Sequence, residues 1–200
     1  MIRKGLPVLL ILLFCVTMPL SSYRLRYAED FYELFYERFL MYPEHIKQNI
    51  SFLELALESD FRNPLYALAK IEKREEYPRY IYLFKMHVNL LIVREYRKLA
   101  LKYNKLDAYF YNYPWKEENM KSLVIAEEIL KIAFYYWKEA VKWSDLANSE
   151  KYFFTDLQNW EDENFRVQNG DLDYDFILNR DLNKLYEVRK AFENMTKTTY

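Results

Sequence analysis

The chain has 200 residues, 52% of them hydrophobic, and a formal net charge of −1 at pH 7. It contains two glycines, too few for the hairpin turns and phosphate-binding loops that require positive φ without strain. The abundance of Leu, Ala, Glu, Lys and Arg predicts an all-α fold, and the near-neutral charge argues against a nucleic-acid partner.

Residues 1–22 have the pattern of an export signal peptide or of a retained N-terminal anchor. Arg3 and Lys4 precede an uncharged apolar run over 6–16, which is shorter than the ~20 residues that span a membrane. We therefore expect export, with the mature chain beginning near Tyr23 in a periplasmic or membrane-associated location.

Cys15 is the only cysteine of the chain, and it follows Leu12-Leu13-Phe14 in a sequence similar to a bacterial lipoprotein box. Phe14 stands where those boxes have a small residue, so lipidation at Cys15 is the less favoured alternative. Cleavage near Ser22 would leave no cysteine, which would exclude disulfides, a thiol nucleophile and Cys-ligated metal sites from the mature chain.

Apolar spacing and helix-start signals predict about seven helices in a single domain over 23–195, followed by a frayed tail over 196–200. Prolines and polar caps mark most of the starts, and the short connections favour antiparallel helical hairpins. The predicted helices cover 28–41, 43–57, 64–73, 78–103, 116–148, 149–168 and a last segment from 171 or 173 to 195.

An alanine recurs every seven residues within the predicted helix 116–148, where neither glycine nor proline occurs. The spacing of three and four residues places these side chains on one side of the helix. Small residues at alternate steps predict that a neighbouring helix approaches closely. The stripe consists of Ala126, Ala133, Ala140 and Ala147, interleaved with Leu123, Leu130, Trp137 and Ser144.

Two stretches resemble halves of tetratricopeptide repeats (TPRs). Residues 52–69 are similar to the end of a second repeat helix, the turn and the start of the next repeat, with Phe61 in place of the turn proline. Residues 137–147 are similar to a second repeat helix. Because Ala56 and Ala147 are not separated by a multiple of about 34 residues, an irregular helical bundle is the alternative to a degenerate TPR-like array.

The TPR resemblance implies a protein-binding scaffold with a concave groove. Small exported TPR-like proteins occur in bacterial envelope assemblies, including the collar around the periplasmic flagellar motor of spirochaetes. A signal segment, the expected lack of disulfides and long tyrosine-rich helices are similar to such components. The link is one of architecture and rests on no single motif.

The sequence offers no catalytic, cofactor or metal site. His45 and His87, the two histidines, have no carboxylate or second histidine at metal-ligand spacing. Asp171, Asp173 and Asp175 alternate as in a calcium loop, but Phe176 stands where that loop requires glycine. We interpret these aspartates as charges at a helix N-terminus, and His87 as a hydrogen-bonded structural residue.

Two groups of residues are candidates for partner binding. Aromatic residues crowd the predicted corner before helix 116–148, and such side chains are enriched at protein interfaces. A basic stripe on the preceding helix suggests docking of an acidic partner or of anionic headgroups. Local packing and a solvated face balanced by the chain's own carboxylates are the alternatives. The first group is Tyr109, Tyr111, Tyr113 and Trp115, and the second is Arg94, Arg97, Lys98, Lys102 and Lys105.

These features together favour an exported, non-enzymatic interaction scaffold that acts as a subunit of an envelope-associated complex. Its partners would be other protein subunits, including further copies of the chain, with a membrane surface nearby. The alternative function is a helical carrier that binds an apolar ligand between helices. A pocket of several hundred Å³ lined by aromatic residues would favour the carrier, and a grooved aromatic surface open to solvent would favour the scaffold.

We predict that the exported chain begins near Tyr23. The charged start and the short apolar run suit a cleaved signal, and nothing in that run suits a soluble core. The mass of the chain recovered from the envelope fraction checks this expectation. Recovery of the intact chain from the cytosol would contradict it.

Overall fold

The computed structural model describes residues 25–106 and 113–198, and within them the chain is helical with no strand. The predicted signal or anchor over 1–22 lies outside the described residues. Six α-helices pack together, which confirms the all-α prediction and comes close to the predicted number. They are α1 (Ala28–Met41), α2 (Ile46–Glu58), α3 (Tyr77–Leu101), α4 (Lys116–Asn148), α5 (Gln158–Gln168) and α6 (Tyr174–Glu193).

Helix α3 lies at the centre of the molecule. All eight residues from 86 to 93 are buried, because this part of the helix is apolar around most of its circumference. Helix α4 makes the most extensive contact with α3, and α2 and α5 also pack on it. Helix α1 packs on α2 and reaches α3 through side chains, such as the ring contact of Tyr32 with Phe84. The packing around the middle of α3 therefore fixes the position of the whole helix, including its two ends.

Helix α4 packs on α3 through the predicted alanine stripe. The four stripe alanines and Leu123 and Ser144 are fully buried, and Leu130 and Trp137 nearly so. Small side chains let neighbouring backbones approach, and two of the interleaved residues contact other helices: Trp137 packs on Tyr174 of α6, and Ser144 hydrogen-bonds to Asn164 of α5. The prediction that another helix packs closely here is confirmed.

Hydrogen bonds to Glu54 on α2 join that helix to α3 and α4. Tyr96 of α3 and Tyr136 of α4 stack with ring centroids 5.7 Å apart, and both hydroxyls donate to Glu54 Oε1, at 3.0 and 2.8 Å. Burial, together with the nearby Glu54 charge, raises the pKa of Tyr96 to about 12. Both phenols therefore remain neutral donors at physiological pH.

The predicted helix 64–73 is wrong. Asn63 does cap a turn, accepting a hydrogen bond from the Leu65 amide at 3.0 Å, but the turn is a single 3₁₀ turn over Pro64–Tyr66. The chain then continues without regular secondary structure to residue 73, and the Leu68 amide donates to the Tyr80 hydroxyl at 3.3 Å. Packing of this segment against α3 replaces the helical hydrogen bonds that the sequence pattern predicted.

The predicted helix start at Ser149 is also wrong, because α5 begins at Gln158 after a 3₁₀ turn over Thr155–Leu157. The Arg79 guanidinium forms a buried ion pair with Glu161 and donates to the carbonyl oxygens of Ala147 and Glu150. These hydrogen bonds satisfy carbonyl groups at the end of α4 and keep the following segment from continuing as a helix.

Two helix ends follow the sequence signals. Gly170 has a φ of +77°, and the Leu172 amide donates to the Arg166 carbonyl at 3.0 Å, as expected for a glycine C-cap. Asp173 is the N-cap of α6 and accepts from the Phe176 amide at 3.1 Å. None of the helices within the described residues is long and apolar enough to cross a membrane.

We predict that Ala140→Leu destabilises the protein by about 1–3 kcal/mol, because added methylenes overpack the contact between α3 and α4. The exposed Lys138→Leu on the same helix is the matched control and should change the free energy of unfolding by less than about 0.5 kcal/mol. Chemical denaturation measures both. Equal midpoints would show that no helix packs at Ala140.

Candidate functional site

An open groove with a volume of about 430 Å³ lies between the C-terminal halves of α1 and α3. It forms where side chains of one side of α1 face one side of α3 without filling the space between them. The lining residues are Phe35, Tyr36 and Phe39 from α1 and Leu91, Arg94, Glu95, Arg97, Lys98 and Leu101 from α3.

The floor of the groove is apolar. Phe35 and Phe39, four residues apart on α1, stack with ring centroids 5.5 Å apart. Leu91 is buried opposite them, whereas Leu101 is exposed at the open end. An apolar side chain or ligand could therefore displace water along this floor.

Three cations of α3 line the groove, and each is held by a carboxylate. Arg94 Nη2 donates to Glu163 Oε1 at 2.7 Å, and Arg97 Nε donates to Asp181 Oδ2 at 2.9 Å. Lys98 Nζ donates to Glu95 Oε1 at 2.5 Å and lies 4.5 Å from the Phe39 ring centroid.

The two arginines keep donors for a further partner. Within the described part of the chain, Nη1 of Arg94 and Nη1 of Arg97 donate no hydrogen bond. Their positions are fixed by the bonds that the other nitrogens make. The groove thus presents oriented N–H groups beside an apolar floor.

Glu95 is a buried acid at the groove, with 2% of its surface exposed. Its Oε1 is bonded to Lys98, but Oε2 is buried and has no hydrogen-bond partner among the described residues. Burial of an unpaired oxygen is costly, so Lys98 is required to hold this carboxylate.

A buried polar network stands behind the groove and fixes Arg94. His87 Nδ1 lies 2.5 Å from Glu163 Oε2, and its Nε2 lies 3.0 Å from the Tyr32 hydroxyl and 3.5 Å from that of Tyr36. The His87 ring stacks on Trp160 with centroids 5.0 Å apart. His87 is hydrogen-bonded and buried, as its interpretation as a structural residue predicts.

The network also sets the ionisation of its members. Burial alone would raise the pKa of Glu163, but the hydrogen bonds and charges of His87 and Arg94 outweigh it and lower the pKa. Burial raises the pKa of Tyr32, with a further contribution from its hydrogen bond to Tyr36. Tyr32 is therefore a neutral phenol here, and Glu163 is an anion that orients Arg94.

The predicted basic stripe divides into two parts. Arg94, Arg97 and Lys98 line the groove, whereas the other two lysines do not. Lys102 donates to the Glu44 carbonyl at 3.3 Å beside a separate hollow, and Lys105 lies in the turn after α3 with a φ of +56°. The chain's own carboxylates balance the three groove cations, as the alternative interpretation proposed.

The predicted aromatic corner is only partly described, because Tyr109 and Tyr111 lie outside the described residues. Tyr113 and Trp115 are exposed on a 3₁₀ turn that leads into α4. Neither lines the groove, so the corner and the basic stripe do not form one site. The corner remains a prediction for a separate contact.

Sequence reasoning missed the α1 side of the groove. Phe35, Tyr36 and Phe39 have the spacing of a core face, and nothing local distinguishes side chains that line an open groove from those in a closed core. Glu95 gave a usable signal, since it is a single acid within the buried side of α3. No group of three or more His, Cys, Asp or Glu side chains in the described ranges could hold a metal ion.

A model of the family described as Domain of unknown function (DUF8513) matches residues 75–195. The match spans more than half of the 200 residues, so the chain belongs to this family. The matched segment includes the α3 side of the groove, Glu163 and Asp181, whereas α1 precedes it. No curated protein and no solved structure matches the chain.

We predict that Glu163→Gln removes a pH-dependent part of the stability. The lowered pKa means that the stabilisation is present above the unfolded value of 4.5 and is lost as the pH falls through the pKa of the folded state. The variant should unfold more easily than the wild type by about 1–3 kcal/mol at pH 7, and the difference should shrink below pH 4.

Denaturant titrations at pH 7 and pH 3.5 measure this difference. The exposed Glu187, which forms no ion pair among the described residues, provides the matched control Glu187→Gln. The control should match the wild type at both pH values. A Glu163→Gln protein as stable as the wild type at pH 7 would contradict the role given to this carboxylate.

Proposed function

We propose that this DUF8513 family member is an exported, non-enzymatic interaction scaffold that binds another subunit of an envelope-associated complex in the groove between α1 and α3. The observation that supports this proposal is the groove itself: an open apolar groove bordered by the exposed Tyr36 and Leu101, with oriented arginine N–H groups along one side. Such a surface suits recognition of a protein segment better than chemistry on a small substrate.

The chemistry of the groove indicates the kind of segment that it would bind. Apolar side chains of the partner would cover Phe39 and Leu101, and its carboxylates or carbonyl groups would accept from Arg94 and Arg97. Because Glu163 and Asp181 already neutralise the two arginines, attraction would come from these hydrogen bonds rather than from net charge. We therefore propose an amphipathic segment with acidic residues.

Two features of the sequence suggest the setting of the complex. The N-terminal pattern predicts export, and the TPR resemblance suggests an assembly such as the collar of a periplasmic flagellar motor. Both points remain proposals. The family match extends over α3 to α6. Other members that have the groove residues of α3 would therefore be expected to bind partners in the same way.

A carrier for an apolar ligand is the second candidate function. The volume of about 430 Å³ and the three aromatic side chains of α1 favour it, since they would suit a medium-chain alkyl group. The arginine N–H groups would then donate to the carboxylate of a fatty acid. Two features favour the scaffold over the carrier: the groove is open, and its Leu101 rim is exposed.

We predict that Leu101→Glu reduces partner capture from native membranes at least about tenfold, because it places a like charge where an acidic segment would lie. Leu65→Glu is the matched control. Leu65 is also exposed, but it lies in the 3₁₀ turn Pro64–Tyr66 and does not line the groove. Tagged full-length chain, co-purification and quantitative mass spectrometry give the measurement.

The same proteins distinguish the two functions. Capture of a protein that is lost with Leu101→Glu and retained with Leu65→Glu supports the scaffold. Binding of decanoate that is lost with Leu101→Glu, without any captured protein, supports the carrier instead. If both variants behave as the wild type in both measurements, the groove is not the binding site.

A further inference from the structure

The outer side of α4 carries a second stripe with three-and-four spacing, opposite the alanine stripe that packs on α3. Its centre is apolar, with Ile125, Ile132 and Tyr135 exposed by 45%, 42% and 60%. Glu128 lies between them. We call the stripe from Glu118 to Lys142, including these residues, the outer stripe.

Charged residues flank the apolar centre at both ends of the outer stripe. Glu118 and Lys121 precede it, and Glu139 and Lys142 follow it at the same spacing. The order of charge is negative then positive at each end. In an antiparallel copy of the helix, each of these charged residues therefore lies opposite a residue of the opposite charge.

We propose that the outer stripe binds the outer stripe of a second copy of this chain, as an antiparallel helix pair around a two-fold axis. In this pairing Glu118 faces Lys142 of the second copy and Lys121 faces its Glu139. The same register places Ile125 opposite Tyr135. One register thus pairs the charges at both ends and sets Ile125 against Tyr135 in the centre, and each contact occurs twice by symmetry.

The spacing of the outer stripe suits this partner. Apolar residues at steps of three and four form the seam of a coiled coil, and antiparallel pairing sets the first seam position against the second. Glu128 would face Ile132, and its carboxylate can remain at the edge of the seam because Lys131 Nζ already lies 2.9 Å away. The stripe from 118 to 142 is about 36 Å long at ~1.5 Å per residue.

Charge selects the antiparallel arrangement over the parallel one. A parallel, in-register pair would set Glu118 on Glu118 and Lys121 on Lys121, and would repeat the conflict at the other end. Glu118 and Lys121 form no ion pair with the described residues of their own chain, so the second copy supplies their missing partners. Glu139 and Lys142 pair with each other at 2.9 Å on the surface, where such a pair costs little to rearrange.

The interface is separate from the groove, because none of its residues lines it. Self-association through the outer stripe therefore goes beyond partner binding in the groove, and the absence of self-association would leave the proposed function unaffected. Two copies joined along α4 would carry two grooves. A subunit that forms such a pair could bind two partner segments at once.

Charge reversal tests the register. Lys121→Glu and Glu139→Lys should each weaken self-association of the full-length chain at least about tenfold, since each creates two like-charge contacts per pair. An equimolar mixture of the two variants should associate as the wild type does, because both contacts become complementary. Sedimentation velocity in a mild detergent measures each protein, and a tag on one variant shows that the restored species contains both.

The exposed Lys151→Glu, which lies beyond α4 and has no ion pair among the described residues, is the matched charge control and should associate as the wild type does. Circular dichroism of each variant checks that the helices remain. A wild-type chain that stays monomeric at all concentrations overturns the proposal. So does a wild-type dimer that neither variant weakens, or variants that do not restore association when mixed.

Discussion

The close contact between α3 and α4 is the constraint on which the rest of the structure depends. The stripe of alanines on α4 lets the two helix backbones approach, and this burial leaves the middle of α3 surrounded on every side. The short helix α5 is then held against this pair by the ion pair between Arg79 and Glu161, and α6 packs on α4. Loss of the close approach would therefore disturb every element that rests on the pair.

The groove is a consequence of how α1 meets this central pair. Near its start, α1 is tied down, since the Tyr80 hydroxyl donates to Glu29 at 3.0 Å and Arg62 pairs with Asp30. Further along, Phe35 is buried beneath the groove and the half-buried Phe39 lines it. The network from Tyr32 through His87 to Glu163 underlies this opening. It gives Arg94 a fixed position, so that binding would lose little side-chain entropy.

Helix α4 uses the same spacing on two sides for different purposes. On the inner side, alternating small and large apolar residues fill a contact within the chain. On the outer side, three exposed apolar residues and Glu128 lie between two Glu–Lys pairs, an arrangement that suits a contact between chains. Because the outer stripe and the groove share no residue, one surface could set the number of copies while the other selects the partner.

The sequence by itself determined the helical class, the alanine stripe and the start of α6 at Asp171 or Asp173, of which Asp173 is the N-cap. These features depend on local periodicity and on single-residue backbone preferences, which a chain carries wherever it lies. Only the tertiary structure decided that residues 67–73 form no helix and that α5 starts at Gln158, because contacts with Tyr80 and Arg79 outweigh local propensity. The groove, too, belongs to the tertiary structure. Whether Phe39 and Leu101 enclose a core or border an opening depends on the distance between two helices, which neither helix specifies alone.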